Sequence, residues 1–176
     1  MNKLMSILTI TFLLIINSSE IFGQTQWKTF DNKNFSIKYP ATWDLNSSGL
    51  MGTKFIILSP LSNPNDKFRE NVNLITQDLT GLNMSLDKYV ETSENQVKTL
   101  LSNGKLLESK RISDNNSEYH ILVFTGKQGI FNLKFMQFFR IINNKAYVLT
   151  YTAEINQYDK FLPTAKKIMD SFQIIK

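Results

Sequence analysis

Phe35-Ser36-Ile37-Lys38-Tyr39-Pro40-Ala41-Thr42-Trp43 is the stretch whose reading decides the fold. Phe35, Ile37 and Tyr39 alternate with polar residues, the period of a strand with one face buried. Pro40 has no N–H to give to a ladder, so it ends the strand. Trp43 then folds back as a large anchor for the layer over the sheet. The strand predicts a sheet to which later strands are added and over which helices are laid.

Working towards the N-terminus, Trp27 to Phe30 predicts a short lead-in strand, joined to the first by the turn-forming Asp31-Asn32-Lys33-Asn34. Before that, residues 1–23 have the pattern of a secretory signal. Lys3 supplies the positive start, Leu4 to Ile16 the apolar stretch, and Asn17 to Glu20 a polar segment. Gly23 is the small residue at the cut before Gln24. A membrane anchor is the competing interpretation, but the apolar run is short for a span and no basic stop-transfer flank follows. The expectation is a secreted or periplasmic protein, residues 24–176 forming one domain with no stable membrane span after cleavage.

Working towards the C-terminus, Thr53 to Ser59 predicts a strand with apolar residues on both faces. Pro60 to Asp66 is a turn-rich loop, and Asn71 to Leu79 is another strand. Ser85 is a helix N-cap with Asp87 in the first turn. Leu86, Tyr89, Val90, Val97, Leu100 and Leu101 fall on one stripe of that helix, and Gly104 is its expected stop. Four strands follow: Lys105 to Ile112, Glu118 to Thr125, Ile130 to Ile142 and Lys145 to Ala153. Asn143-Asn144 is a two-residue hairpin turn, because asparagine tolerates the left-handed conformation it needs. That turn sets Ile142 against Lys145, Phe138 against Leu149 and Met136 against Tyr151 on one face. It sets Phe139 against Val148 and Phe135 against Thr152 on the other. Both faces are apolar, so a layer on each is implied. A last helix covers Tyr158 to Phe172, its regular part expected to begin near Pro163. The predicted fold class is α+β: a central antiparallel sheet of about six or more strands with helices on both faces.

The composition excludes several function classes. There is no cysteine among the 176 residues. That removes disulfides, thiolate metal sites, cysteine nucleophiles and a lipid-modified cysteine together. The net charge of +5 is spread rather than clustered, and no nucleic-acid motif is present. His120 is the single histidine, which leaves a catalytic or metal role without a second histidine. Asp114 and Glu118, with Asn115 and Asn116, could at most hold a calcium ion weakly, and a plain hairpin turn is the simpler interpretation. No phosphate-binding glycine loop or nucleophile elbow is present. No catalytic residue, cofactor or metal is expected.

The richest local feature is the aromatic run Phe131, Phe135, Phe138, Phe139. Core packing explains most of it. The sharper alternative is that one face forms a groove for a peptide or lipid-like ligand. Lys134 and Arg140 share that face with Met136 and Phe138, which suits an acidic or amphipathic partner. These four residues are the expected partner or ligand surface.

Taken together, Phe35-x-Ile37-x-Tyr39-Pro40-x-x-Trp43, Phe68-x-Glu70-Asn71-Val72-Asn73, Ser85-Leu86-x-x-Tyr89, Tyr147-x-Leu149-x-Tyr151 and the closing Ser171-Phe172 resemble the PsbP-like superfamily. The resemblance spans nearly all of residues 24–176. It implies an α/β/α sandwich and a non-enzymatic binding or accessory role at the bacterial cell envelope, with a protein partner. A small-ligand or lipid carrier, with an apolar pocket between sheet and helix, is the alternative. No binding residue is carried over from the family.

Overall fold

The structure is a computed structural model that describes residues 26–114 and 117–175. The expected signal segment, residues 1–23, and the asparagines of the Asp114–Glu118 turn lie outside the described residues. In chain order the elements are β1 (Trp27–Asp31), β2 (Phe35–Pro40), β3 (Asp44–Asn46), a 3₁₀ turn (Leu50–Gly52), β4 (Phe55–Leu58), β5 (Asn71–Asp78) and α1 (Leu86–Leu100). They continue with β6 (Ser102–Asp114), β7 (Ser117–Gln128), β8 (Phe131–Ile142), β9 (Lys145–Glu154), α2 (Tyr158–Asp170) and β10 (Gln173–Ile174).

Seven strands form one antiparallel sheet in the order β3-β4-β5-β9-β8-β7-β6. The β8–β9 hairpin sets its register. Asn143 and Asn144 both have left-handed φ values, 51° and 57°, as a tight hairpin turn requires. Ile142 pairs with Lys145, Phe138 with Leu149, Met136 with Tyr151, Phe139 with Val148 and Phe135 with Thr152, which is the predicted pairing throughout.

The stretch that opens the fold is not part of this sheet. Strand β2 forms a separate three-stranded sheet, β1-β2-β10, so the expectation that later strands add to Phe35–Tyr39 is corrected. Its alternation holds, with Phe35, Ile37 and Tyr39 all buried. They pack on the seven-stranded sheet instead of extending it: the Phe35 ring lies 5.6 Å from Phe55 and 5.8 Å from Phe172. Trp43 is buried as the expected anchor, edge-on to Phe161 at 6.1 Å.

Two cores lie on opposite faces of the large sheet. One joins Val72, Leu74, Phe138, Leu149 and Tyr151 to α2 and the small sheet. The other joins Leu122, Phe124, Phe135, Phe139 and Val148 to Val90 and Val97 of α1. Helices on both faces are therefore observed, and each core takes up the apolar stripe of its helix, except that Leu100 of α1, expected on that stripe, stands 78% exposed at the helix end. Coverage is incomplete at β4: Phe55 and Ile57 are fully buried, whereas Ile56 and Leu58 on the other side are only half-buried.

Local signals hold with two refinements. Ser85 caps α1 by accepting a hydrogen bond from Lys88 N at 3.2 Å. The left-handed residue after α1 is Asn103, with φ 54°, and not Gly104. Gly104 is required for closeness: a Cβ there would lie 1.9 Å from the Val97 carbonyl oxygen. Helix α2 begins at Tyr158 and carries Pro163 inside it, instead of becoming regular only from Pro163.

Candidate binding surfaces

The expected surface residues come from alternate positions of β8, so they share the face that packs under α2. Met136 and Phe138 are each 7% exposed and belong to the core there. Lys134 and Arg140 are half-buried, one at each end of the pair. The Lys134 ammonium sits 4.0 Å from the centroid of the Tyr158 ring, and the Arg140 guanidinium 5.1 Å from that of Tyr119. Both are cation–π placements that hold a flexible side chain over a ring. Among the described residues, neither cation forms an ion pair within 4.0 Å.

Beside them, Tyr119 and Ile121 of β7 are half-buried, and their cross-strand partners on β6 are Ile112 and Lys110. The Tyr119 and Phe138 rings are 5.1 Å apart. The result is a half-exposed aromatic and aliphatic strip with Arg140 at its border, while Lys134 sits further along β8, opposite Thr125. It holds no ligand-sized hollow. The space between Phe138, Arg140, Met169 and Phe172 is about 10 Å³, barely a water molecule's worth. Burial pushes the Tyr158 hydroxyl up to about 12, with help from the Asp159 and Glu108 charges. The ring beneath Lys134 is thus a neutral phenol at physiological pH.

The larger apolar space lies on the opposite face. A cleft of about 380 Å³ opens between α1 and the sheet, lined by Ile75, Val97, Leu100, Phe124, Phe139 and Val148 among others. Ile75 is 42% exposed and Leu100 78%, so apolar side chains stand open at its mouth. Neutral polar groups converge on it: the Tyr89 hydroxyl donates to Gln77 Oε1 at 3.1 Å, and the Gln137 amide donates to Thr150 Oγ1 at 3.2 Å. An apolar pocket between sheet and helix is the alternative expectation, but its lining residues are not named from the sequence. Its signal was Ile75 and Leu100, apolar residues at positions that the sheet and the helix leave uncovered.

Two titratable groups are buried without full partners. Glu70 is fully buried, with Oε2 accepting from Ser59 Oγ at 3.2 Å and Oε1 unpartnered among the described residues. Burial raises its carboxyl above the usual glutamate range. His120 Nε2 lies 2.7 Å from Ser109 Oγ, and its buried Nδ1 has no partner among the described residues. Burial, then the Arg111 charge, lowers its pKa. Among the described residues no three His, Asp or Glu side chains gather as a metal site. The Asp114–Glu118 turn, where a plain hairpin is preferred to a weak calcium site, lies partly outside those residues. No helix among them is long and apolar enough to cross a membrane.

The loop between β4 and β5 is tied down from within. The Asp66 carboxylate accepts from Ser62 N at 2.9 Å and Phe68 N at 3.1 Å, and these bonds lower its pKa. Asn63 Oδ1 accepts from Asn65 N at 2.9 Å. Lys160 of α2 donates to Ser62 Oγ at 3.2 Å. A hollow of about 350 Å³ lies between this loop and the start of α2.

An antiparallel sheet of seven strands, with one helix on each face and a small sheet at one side, defines the class of fold. Solved PsbP-like structures share this fold. The chain is similar to cyanobacterial PsbP (CyanoP) from Synechocystis sp. PCC 6803, with a TM-score of 0.62 at 12% identity over 91% of this chain and 99% of that one. It is similar to LpqN of Mycobacterium tuberculosis, described as involved in cell envelope biogenesis, with a TM-score of 0.66 at 15% identity over 86% and 91%. It is also similar to PA94 of Pseudomonas aeruginosa, a protein of unknown function described as a putative regulator. That match has a TM-score of 0.59 at 16% identity over 82% and 94%. No family model matches the sequence, and no curated protein matches it.

Proposed function

We propose that this chain is an exported, non-enzymatic accessory protein of the bacterial cell envelope that engages a protein partner. The observation that carries the proposal is the strip on β8 and β7. Lys134 and Arg140 are held over aromatic rings and lack carboxylate partners among the described residues, and Arg140 lies beside half-exposed Tyr119. Ring-held cations lose less side-chain entropy on binding, and an apolar centre with a charged border is the usual anatomy of a protein interface. The partner surface is acidic at its rim. The envelope context is supported by the likeness to LpqN and by the export pattern of residues 1–23.

A second reading is favoured by the cleft under α1. A carrier of a small apolar ligand would use Ile75, Leu100, Phe124 and Phe139 as its walls. One experiment separates the two. The purified protein is immobilised and exposed to detergent-solubilised envelope, and bound proteins and lipids are identified by mass spectrometry. A single saturable protein partner, lost in the Lys134→Glu/Arg140→Glu variant, supports the accessory reading. A partner held equally well by that variant removes this surface from consideration. Lipid or small molecule without protein transfers the assignment to the carrier.

A further inference from the structure

The β4–β5 loop, which the partner-binding strip does not use, forms one wall of an amide-rich groove. The hollow of about 350 Å³ beside it is lined by Asn63, Asn65, Asn156 and Gln157 together with the Phe131 side chain. A second hollow of about 380 Å³ adjoins it, formed by Asn132 with Ile130 and Ile155. Glu154 and Asn156 line both, so the two hollows lie side by side at the open end of the β8–β9 hairpin and share a wall. Its floor is fixed by backbone bonds, Ile155 N to Asn132 O at 3.0 Å and Gln157 N to Glu154 O at 2.9 Å.

The chemistry of this lining is specific. A carboxamide offers a donor and an acceptor side by side, the pattern that matches a hydroxyl group acting in both roles. A carboxylate such as Glu154 accepts from two neighbouring hydroxyls at once. Phe131, braced by Phe68 with ring centroids 5.1 Å apart, offers an aromatic surface. Ile130 is 76% exposed and Ile155 49%, leaving apolar contact at the far end. A ligand that fits must carry many hydroxyls along its edges and C–H groups on its faces. Other classes fit less well. The Glu154 and Asp66 carboxylates oppose a phosphate or acidic sugar, against the single cation Lys67 in the lining. A divalent metal needs more free hard ligands than remain, because both Asp66 oxygens already accept backbone N–H bonds. The loop is also held in shape before any ligand arrives, which lowers the entropic cost of binding.

We infer that this groove is a binding site for an uncharged oligosaccharide, one ring seated against Phe131 and the next between Asn132 and Ile155. The lining of the site includes neither Lys134 nor Arg140.

The test is an NMR titration of the purified protein with chitotetraose, cellotetraose and maltotetraose as probes. Saturable shifts confined to residues 63–67, 130–132 and 154–157, with at least one probe, are expected. Asn156→Ala weakens that binding roughly tenfold, as loss of hydrogen bonds shared by both hollows should. Asn132→Ala is the second variant, for use if Asn156→Ala alters the circular dichroism spectrum. The Arg140→Glu protein, altered at the far end of β8, retains sugar binding, so failure of this site and failure of the partner strip are read separately. The inference is overturned by no saturable shift with any probe, by shifts centred elsewhere, by unchanged affinity in the asparagine variants, or by tighter binding of an acidic oligosaccharide.

Discussion

Replacing Gly104 by alanine tests how tightly α1 is locked to β6. A Cβ at this position would lie 1.9 Å from Val97 O and 3.0 Å from Leu101 O, both backbone atoms. A carbon–oxygen contact is comfortable at about 3.3 Å, so the end of α1 must retreat by about 1.4 Å. Val97 is 6% exposed and part of the core beneath the helix, so the retreat also loosens its packing. Overpacking of this kind costs about 1–3 kcal/mol, and a neighbour that cannot rotate away puts Gly104→Ala at the upper end. Gly126→Ala is the internal control. Its Cβ would meet Leu101 Cδ2 at 2.2 Å and Cγ at 2.4 Å, but that neighbour is a half-buried side chain with other rotamers, so the cost is about 1 kcal/mol. Leu101→Ala should therefore rescue Gly126→Ala, with a coupling of at least about 0.5 kcal/mol. It should leave the Gly104→Ala loss additive. Urea unfolding followed by the fluorescence of buried Trp43 and by far-UV circular dichroism gives each value. A Gly104→Ala cost below about 1 kcal/mol, or equal rescue of both alanines by Leu101→Ala, would refute the packing argument.

Three further outcomes follow from buried polar groups. Burial holds the Glu70 carboxyl above its usual 4.5, so the folded state keeps a proton that the unfolded chain releases. Its contribution is complete below the unfolded value and is lost as pH rises through the folded one, at up to about 1.4 kcal/mol per pH unit. Glu70→Gln flattens that limb in urea midpoints taken from pH 4 to 8, and an unchanged slope counts against the assignment. His120 acts oppositely: its pKa lies below the usual 6.5, so its contribution is complete above that value and is lost as pH falls through the folded one. His120→Asn flattens the acid limb alone. The Tyr151 hydroxyl donates to Tyr158 O at 2.9 Å from a fully buried ring. Tyr151→Phe costs about 1 kcal/mol for the hydrogen bond and Tyr151→Ala about 3–5 kcal/mol for the cavity, both read by calorimetry.

The parts of the fold that sequence made legible are those set by local chemistry. Asn143-Asn144 fixes a turn, the turn fixes a register, and the register assigns every side chain of β8 and β9 to a face. The Ser85 cap and the apolar stripe of α1 are equally local. What stayed hidden depends on pairing between distant residues. Strand β2 shows the alternation of any half-buried strand, and nothing within Phe35–Tyr39 says which sheet it joins. That choice is made by β1, by the two-residue β10 at the far end of the chain, and by the Phe172 ring beside Phe35. Strand β3 is three residues long and polar, and it exists because Leu45 pairs with Ile57. The bend from α1 into β6 was legible as a stop at Gly104, yet the left-handed residue is Asn103. Gly104 answers a contact with Val97 that only the folded chain creates.

The same division governs the candidate sites. Alternation along β8 places Lys134, Met136, Phe138 and Arg140 on one face, and that much follows from the strand period alone. The rings that hold the two cations come from α2 and β7, by contacts that spacing does not encode. The amide groove is harder still to foresee. Its asparagines read locally as turn residues, and Asn63 and Asn65 do build the turn. Only the closing of the β4–β5 loop against the start of α2 brings them beside Asn156 and Gln157. If that apposition is what binds sugar, cutting its tie should matter without touching the groove's lining. Lys160→Ala removes the bond from α2 to Ser62, and it should weaken oligosaccharide binding while leaving the Lys134–Arg140 strip intact. Unchanged sugar affinity in Lys160→Ala would mean that the loop holds its shape through the Asp66 and Asn63 bonds alone.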